Sequence, residues 1–152
     1  MQSFAETLNE MLVAVYNKIL HVEESFLRKG VGAGLTIREM HMIEFIGKAG
    51  KEGRTLSETA DYMEVARPSV TVAVKKLEAG GLLLKTCCAQ DGRAIRVTLT
   101  REGRKIFMHH MRFHMLMVHE LEEAFDEDEK RVMMNAIEKL DSFFDRSLRN
   151  KP

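Results

Sequence analysis

Between residues 55 and 103 the chain carries, in order, a helix start, a second helix start, a glycine stop and two β-prone runs around a tight turn. That succession leaves few folds open. In Thr55-Leu56-Ser57-Glu58 a Thr precedes a Glu by three residues, so hydroxyl and carboxylate can each accept the other's backbone N–H and open a helix reaching about Met63. Pro68, with its fixed φ and missing N–H, suits the first position of a second helix. Val70, Val74 and Leu77 then fall at i, i+4 and i+7, an apolar stripe that must pack inward. The opposite face carries Ser69, Thr71, Val72, Lys75 and Lys76, short side chains first and cations later. Short groups fit against base edges in a major groove, lysines reach phosphate, and Val72 offers methyl surface to a thymine. Gly80-Gly81 stops the helix.

Residues 82–88 and 95–99 are the β-prone runs, and the Asp91-Gly92 between them predicts a hairpin. This hairpin makes a wing. Arg93 at its tip and Arg96 on its second strand are placed to reach an adjacent minor groove, with Asp91 available to hold Arg93. Thr100-Arg101-Glu102-Gly103 then opens a long helix.

The remainder is helical support. Phe4, Leu8, Met11, Val15, Ile19, Val22 and Phe26 recur every three or four residues along a first helix, and a stripe of that length calls for a partner. Residues 30–34 are a glycine-rich connector, and Thr36-Ile37-Arg38-Glu39 repeats the Thr-x-x-Glu start for a helix to about Ala49. After the wing one helix runs to about Ala124, residues 125–129 interrupt it, and a last helix carries Met133, Ile137, Leu140, Phe144 and Leu148 on one face. Long amphipathic helices at both ends exceed what so small a lobe can bury, so dimerisation is expected.

Charge supports the same division. The formal net charge is zero, yet residues 54–105 hold ten Lys or Arg against six Asp or Glu, a balance of +4 opposed by −4 in the flanks. That asymmetry steers one face toward phosphate. With 45% hydrophobic and 30% charged residues the chain reads as a single globular domain. No apolar run is long enough to span a membrane and no signal-peptide pattern opens the chain, so a cytoplasmic protein is expected. Cys87 and Cys88 are adjacent, which disfavours a structural disulfide between them. No Gly-rich phosphate loop or nucleophile elbow appears, and His110-Met111-Arg112-Phe113-His114 lacks the Glu that a metalloprotease needs, so no enzyme is expected.

The order of Arg67-Pro68-Ser69-Val70-Thr71, Lys76-Leu77-Glu78-Ala79-Gly80-Gly81-Leu82, Asp91-Gly92-Arg93 and Val97-Thr98-Leu99-Thr100-Arg101-Glu102-Gly103 resembles the MarR family of bacterial winged-helix regulators. The resemblance covers nearly the whole chain. It implies a mainly α fold with a small β-hairpin wing, a winged helix-turn-helix lobe over residues 36–103, and dimerisation helices over 1–30 and 104–152. It further implies a homodimeric repressor on a pseudo-palindromic double-stranded operator, with Arg67, Ser69, Thr71, Val72, Lys75, Lys76, Arg93 and Arg96 toward DNA. Val72 and Ala73 stand where many relatives show a larger polar or basic residue, so the operator sequence does not carry over.

Within that family the zinc-sensing branch binds metal through a Glu late in the first helix, a His in the second and a His-x-x-x-His after the wing. The chain is similar in having Glu23 and Glu24, His41, and His110 with His114, in that order. Three imidazoles and one carboxylate form a reasonable tetrahedral zinc set, so zinc is a candidate effector. The branch's second metal site is incomplete here, since Met40 and Met108 replace expected carboxylates. Two alternatives stand beside zinc. Many relatives bind small apolar or phenolic ligands, for which Met40, Met42, Phe45, Met108, Met111 and Met115 offer an adaptable lining; oxidation of Cys87 and Cys88 would distort the wing. For the wing itself, Arg93→Ala is expected to weaken operator binding by roughly 1 to 3 kcal/mol in a titration, and unchanged affinity would remove the wing tip from the interface.

Overall fold

The computed structural model describes residues 3–30, 32, 34–87 and 95–149. Its elements are α1 (Phe4–Lys29), α2 (Ile37–Lys48), β1 (Arg54–Thr55), α3 (Leu56–Met63), α4 (Arg67–Ala79), β2 (Leu83–Cys87), β3 (Ile95–Leu99), α5 (Arg101–Ala124) and α6 (Glu127–Arg149). They divide into two compact units, Met1–Met111 and Arg112–Pro152. Helices with a small antiparallel sheet of order β1-β3-β2 make a winged helix-turn-helix, the fold class expected from the sequence.

The helix starts follow from short-range chemistry. Ser3 with Glu6, Thr36 with Glu39 and Thr55 with Glu58 each form a reciprocal capping box. At α3, Thr55 N donates to Glu58 Oε2 at 2.7 Å and Glu58 N to Thr55 Oγ1 at 3.1 Å. The Thr55 N–H, with the Thr55 hydroxyl beside it, holds the Glu58 carboxyl below its ordinary range. Asp126 opens α6 by accepting from Asp128 N and Glu129 N, both at 2.9 Å. Glu64 ends α3 with a left-handed φ of 50°, letting Val65 N donate back to Ala60 O at 3.1 Å and turning the chain into α4.

The core lies in the first unit. Val70, Val74 and Leu77 are buried with Met40, Ile43 and Ile46 of α2 and Leu83, Val97 and Leu99 of the sheet. The predicted inner stripe of α4 is therefore the packed one. Two details differ from expectation. Pro68 takes the second position of α4, because Arg67 is already helical, and its missing N–H costs nothing there either. Arg54 and Thr55, the latter also the expected cap of α3, add a third strand that was not expected and stand opposite Val97 and Arg96.

The wing is locked to the start of α5 by one threonine. Thr100 N donates to Leu82 O at 3.0 Å, its hydroxyl donates to Gly81 O at 2.7 Å, and the same oxygen accepts from Gly103 N at 3.0 Å. Gly103 packs so closely on the Leu82 carbonyl that an added Cβ would collide with backbone. This accounts for the Thr-x-x-Gly spacing. Although Gly→Ala inside a helix ordinarily stabilises by up to about 1 kcal/mol, Gly103→Ala is expected to destabilise by about 1–3 kcal/mol through overpacking. A urea midpoint equal to that of the parent chain would show that the Leu82 backbone yields freely.

Candidate functional site

The candidate sites are the outer face of α4 and a buried polar cluster shared by α1, α2 and α5. On α4 the inward packing of Val70, Val74 and Leu77 turns Arg67, Ser69, Val72, Lys75 and Lys76 outward. Val72 is 69% exposed, an apolar side chain held in water at the centre of that face. Thr71 is half-buried and its hydroxyl donates to Arg67 O at 3.1 Å, so it is partly turned back on its own helix. Ala66 supplies no side-chain cap to α4; Pro68 has no N–H, and Ser69 N donates to Ala66 O at 2.9 Å.

The two remaining cations of the sequence reading are engaged differently. Lys76 extends to Glu39 of α2, with Nζ 2.6 Å from Oε1. Arg96 is half-buried on β3 and its Nη1 donates to Glu52 O at 3.2 Å and Gly53 O at 3.4 Å, bracing the chain that leads into β1. Arg93, with Asp91, lies outside the described residues. The sequence reading missed Glu39 as a partner because its Thr-x-x-Glu spacing already explained it as a cap. It also missed an aromatic stack of Phe45 on Tyr62, with centroids 4.0 Å apart and planes 8° from parallel, roofed by the Arg54 guanidinium 4.6 Å from the Phe45 centroid.

The buried cluster joins three helices of the first unit. Glu23 of α1 is 3% exposed and His110 of α5 is 1% exposed. The Nε2 atoms of His41 and His110 donate to the same Glu23 oxygen, at 3.1 and 2.9 Å. Glu44 Oε2 lies 3.5 Å from His110 Nδ1, while Glu44 Oε1 pairs with Lys48 at 2.6 Å. That contact holds the Lys48 ammonium above its ordinary range, against the effect of its partial burial. Within the first unit, three of the five predicted metal residues, Glu23, His41 and His110, meet at one carboxylate oxygen. Glu24 turns instead to Arg28, 3.3 Å away. His114 is one turn beyond His110 on α5, half-buried, in the second unit.

The donor set fits a borderline divalent cation such as zinc. Two imidazole nitrogens and a carboxylate oxygen converge, and the protons they now share are what a cation would replace. Glu44 beside the second nitrogen of His110 is the outer carboxylate that ligating histidines commonly have.

Of the methionines in the proposed ligand lining, Met40 and Met42 are 0% and 4% exposed in the core, whereas Met108 and Met115 are 59% and 69% exposed. A cleft of about 460 Å³ in the first unit is lined by residues including Leu27, Arg28, Leu35 and Arg38, and none of the six predicted lining residues is among them. Cys87 ends β2, and Cys88 lies outside the described residues.

A family model described as "MarR family" matches residues 33–94. No curated protein matches the sequence. Among solved structures, Streptococcus pneumoniae FabT in complex with DNA is 32% identical, with 93% of this chain and 98% of that one covered at a TM-score of 0.89. Staphylococcus aureus MepR, solved in complex with DNA, is 18% identical over 93% of this chain and 98% of its own, with a TM-score of 0.73. MepR bound to ethidium bromide is 20% identical over 94% and 97%, with a TM-score of 0.65. At those identities MepR shares the fold.

Proposed function

The chain belongs to the MarR family of DNA-binding transcriptional regulators, and on that premise we propose that it acts as a homodimeric repressor on a pseudo-palindromic operator. Each copy lays α4 in the major groove of one half-site, the half-sites lying about one helical turn apart. The observation that carries this is the outer face of α4, where Arg67, Ser69, Val72 and Lys75 stand opposite a fully buried Val70, Val74 and Leu77. Ser69, Val72 and Lys75 read base edges, Thr71 adds its methyl side, and Arg67 holds phosphate. The solved complex of FabT with DNA supports the same use of this fold.

The second copy is argued from α1. Phe4, Met11, Val15, Ile19 and Val22 are 83%, 61%, 50%, 45% and 49% exposed on the stripe that the sequence showed. Each such side chain contributes about 1.5–3 kcal/mol when fully buried, far too much to leave in water along one face. α6 has no buried residue and exposes Val132, Ile137, Phe144 and Leu148 as well. Another copy of the chain supplies the missing cover.

A metal ion is the effector favoured by a specific observation, the convergence of Glu23, His41 and His110. Glu23, His41 and His110 would hold a zinc-like cation together with His114 from the same helix as His110. When bound it would supply a positive charge that ties α1, α2 and α5 together at these residues.

Two measurements test these statements. Chelator-treated protein is titrated onto genomic fragments and random duplex over a range of salt. The logarithm of the affinity is expected to fall linearly with that of salt at about −0.9 per phosphate contact, and salt-independent binding would remove DNA from the account. Adding zinc to the same protein is expected to load about one equivalent per chain and raise operator affinity about tenfold or more, a gain lost in His110→Ala. If zinc neither loads nor changes affinity, the cluster is a hydrogen-bonded joint between helices.

A further inference from the structure

A lysine on the outward side of a recognition helix reads as a phosphate contact, and Lys76 is such a lysine by sequence. Its surroundings say otherwise. Nζ is 2.6 Å from Glu39 Oε1, and Glu39 Oε2 accepts from Thr36 N at 2.9 Å. Both carboxylate oxygens are thus taken, one by the start of α2 and the other by α4. Glu39 is 8% exposed, and a carboxylate so placed needs a counter-charge to remain ionised. Burial pushes its pKa up, but the Lys76 ammonium and the Thr36 donors more than offset this and hold it below the ordinary glutamate value.

The pair is unsymmetrical. Glu39 is buried and fixed by the cap of α2, whereas the Lys76 side chain is 60% exposed. An ion pair with one partner in water contributes little to global stability. It is directional, and on α2 it is the directional tie of α4; toward the sheet Glu78 pairs with Lys85 of β2, and the rest of the attachment is apolar. Val70, Val74 and Leu77 grip α4 by apolar packing along one stripe, which tolerates small rotations about the helix axis. A rotation of that kind would swing Ser69, Val72 and Lys75 away from base edges without unfolding anything.

We propose that Lys76 and Glu39 form a positioning pair that fixes the rotation of the recognition helix on α2, and that Lys76 does not itself bind phosphate. The proposal rests on the DNA reading above and deepens it.

The test compares Lys76→Met, Glu39→Gln and the double variant on the full-length protein, reading operator affinity, random-duplex affinity and the salt slope of each. Glu39→Gln keeps an oxygen for Thr36 N and removes the charge. A positioning pair predicts that each single variant weakens operator binding by about fivefold or more and that the double variant is little worse than either. Random-duplex affinity and the salt slope should stay at parent values. Lys76→Arg, which can still reach Glu39, should recover most of the operator affinity. Helical circular dichroism matching the parent shows that each variant is folded, and Glu39→Gln against Lys76→Arg carries the comparison if Lys76→Met does not fold.

A salt slope smaller by about one in Lys76→Met, with operator and random duplex weakened alike and Glu39→Gln unaffected, would make Lys76 a phosphate contact and overturn the proposal. Operator affinity unchanged in all variants would overturn it too, leaving a surface ion pair without consequence for recognition. Failure of the DNA reading looks different, because the parent protein itself would then show no salt-dependent binding to any duplex.

Discussion

The first unit is built around the burial of α2. Met40, Ile43 and Ile46, none of them exposed, present one stripe to the core, and every other element of the lobe is placed by touching this helix or what packs on it. Gly47 shows how tight the fit is: a Cβ there would stand 2.8 Å from the Phe107 ring and 3.0 Å from Leu99 Cδ1. A helix of twelve residues would be marginal alone in water, so its conformation is held by this packing and by the Thr36–Glu39 cap at its start. The cap is worth about 0.5–2 kcal/mol, whereas burying each large aliphatic contributes about as much again or more. Packing decides where α2 lies, and the cap decides where it begins.

What an apolar stripe cannot do is choose one orientation among near-equivalent ones, and here the polar partners of α2 matter. Glu39 ties it to α4, His41 to Glu23 of α1, Glu44 to His110 of α5, and Phe45 to Tyr62 of α3 and Arg54 of β1. Charged groups away from water cost several kcal/mol each unless they are matched. In this lobe Glu23 and Glu39 are matched across helices, and Glu44 both across to His110 and along α2 to Lys48. Each pair across helices therefore specifies a relation between two elements, at little net gain in stability.

Legibility in the sequence followed the range of the interaction. Capping boxes at Thr36 and Thr55, the buried stripe of α4 and the Asp126 junction involve residues within four of each other, and all were readable. The Ser3–Glu6 box has the same spacing and was readable too, although it was not singled out. The choice of Glu23 over Glu24 depends on which of two adjacent side chains faces α2 and α5, eighteen and eighty-seven residues away along the chain. Glu39 has two jobs, and only the local one leaves a spacing. Arg96 points at backbone carbonyls, which carry no sequence signature at all. β1 is two residues long and exists only because β3 lies beside it.

The balance of +4 over residues 54–105 takes on a different meaning once partners are assigned. Lys76 is matched by Glu39, Lys85 by Glu78 and Lys105 by Glu102, and Arg54 lies over an aromatic ring near Glu58. Much of the lobe's positive charge thus serves internal geometry, and the cations on the outer face of α4 that are left for phosphate are Arg67 and Lys75. With two such cations, that face by itself gains limited sequence-independent affinity, since that affinity scales with the number of phosphates neutralised. On the proposed two-copy reading, fit at the base edges and a second half-site engaged at high effective concentration supply the rest. A regulator built this way depends on the angle and spacing of its recognition helices more than on total charge, and a chain with formal net charge zero is consistent with that economy.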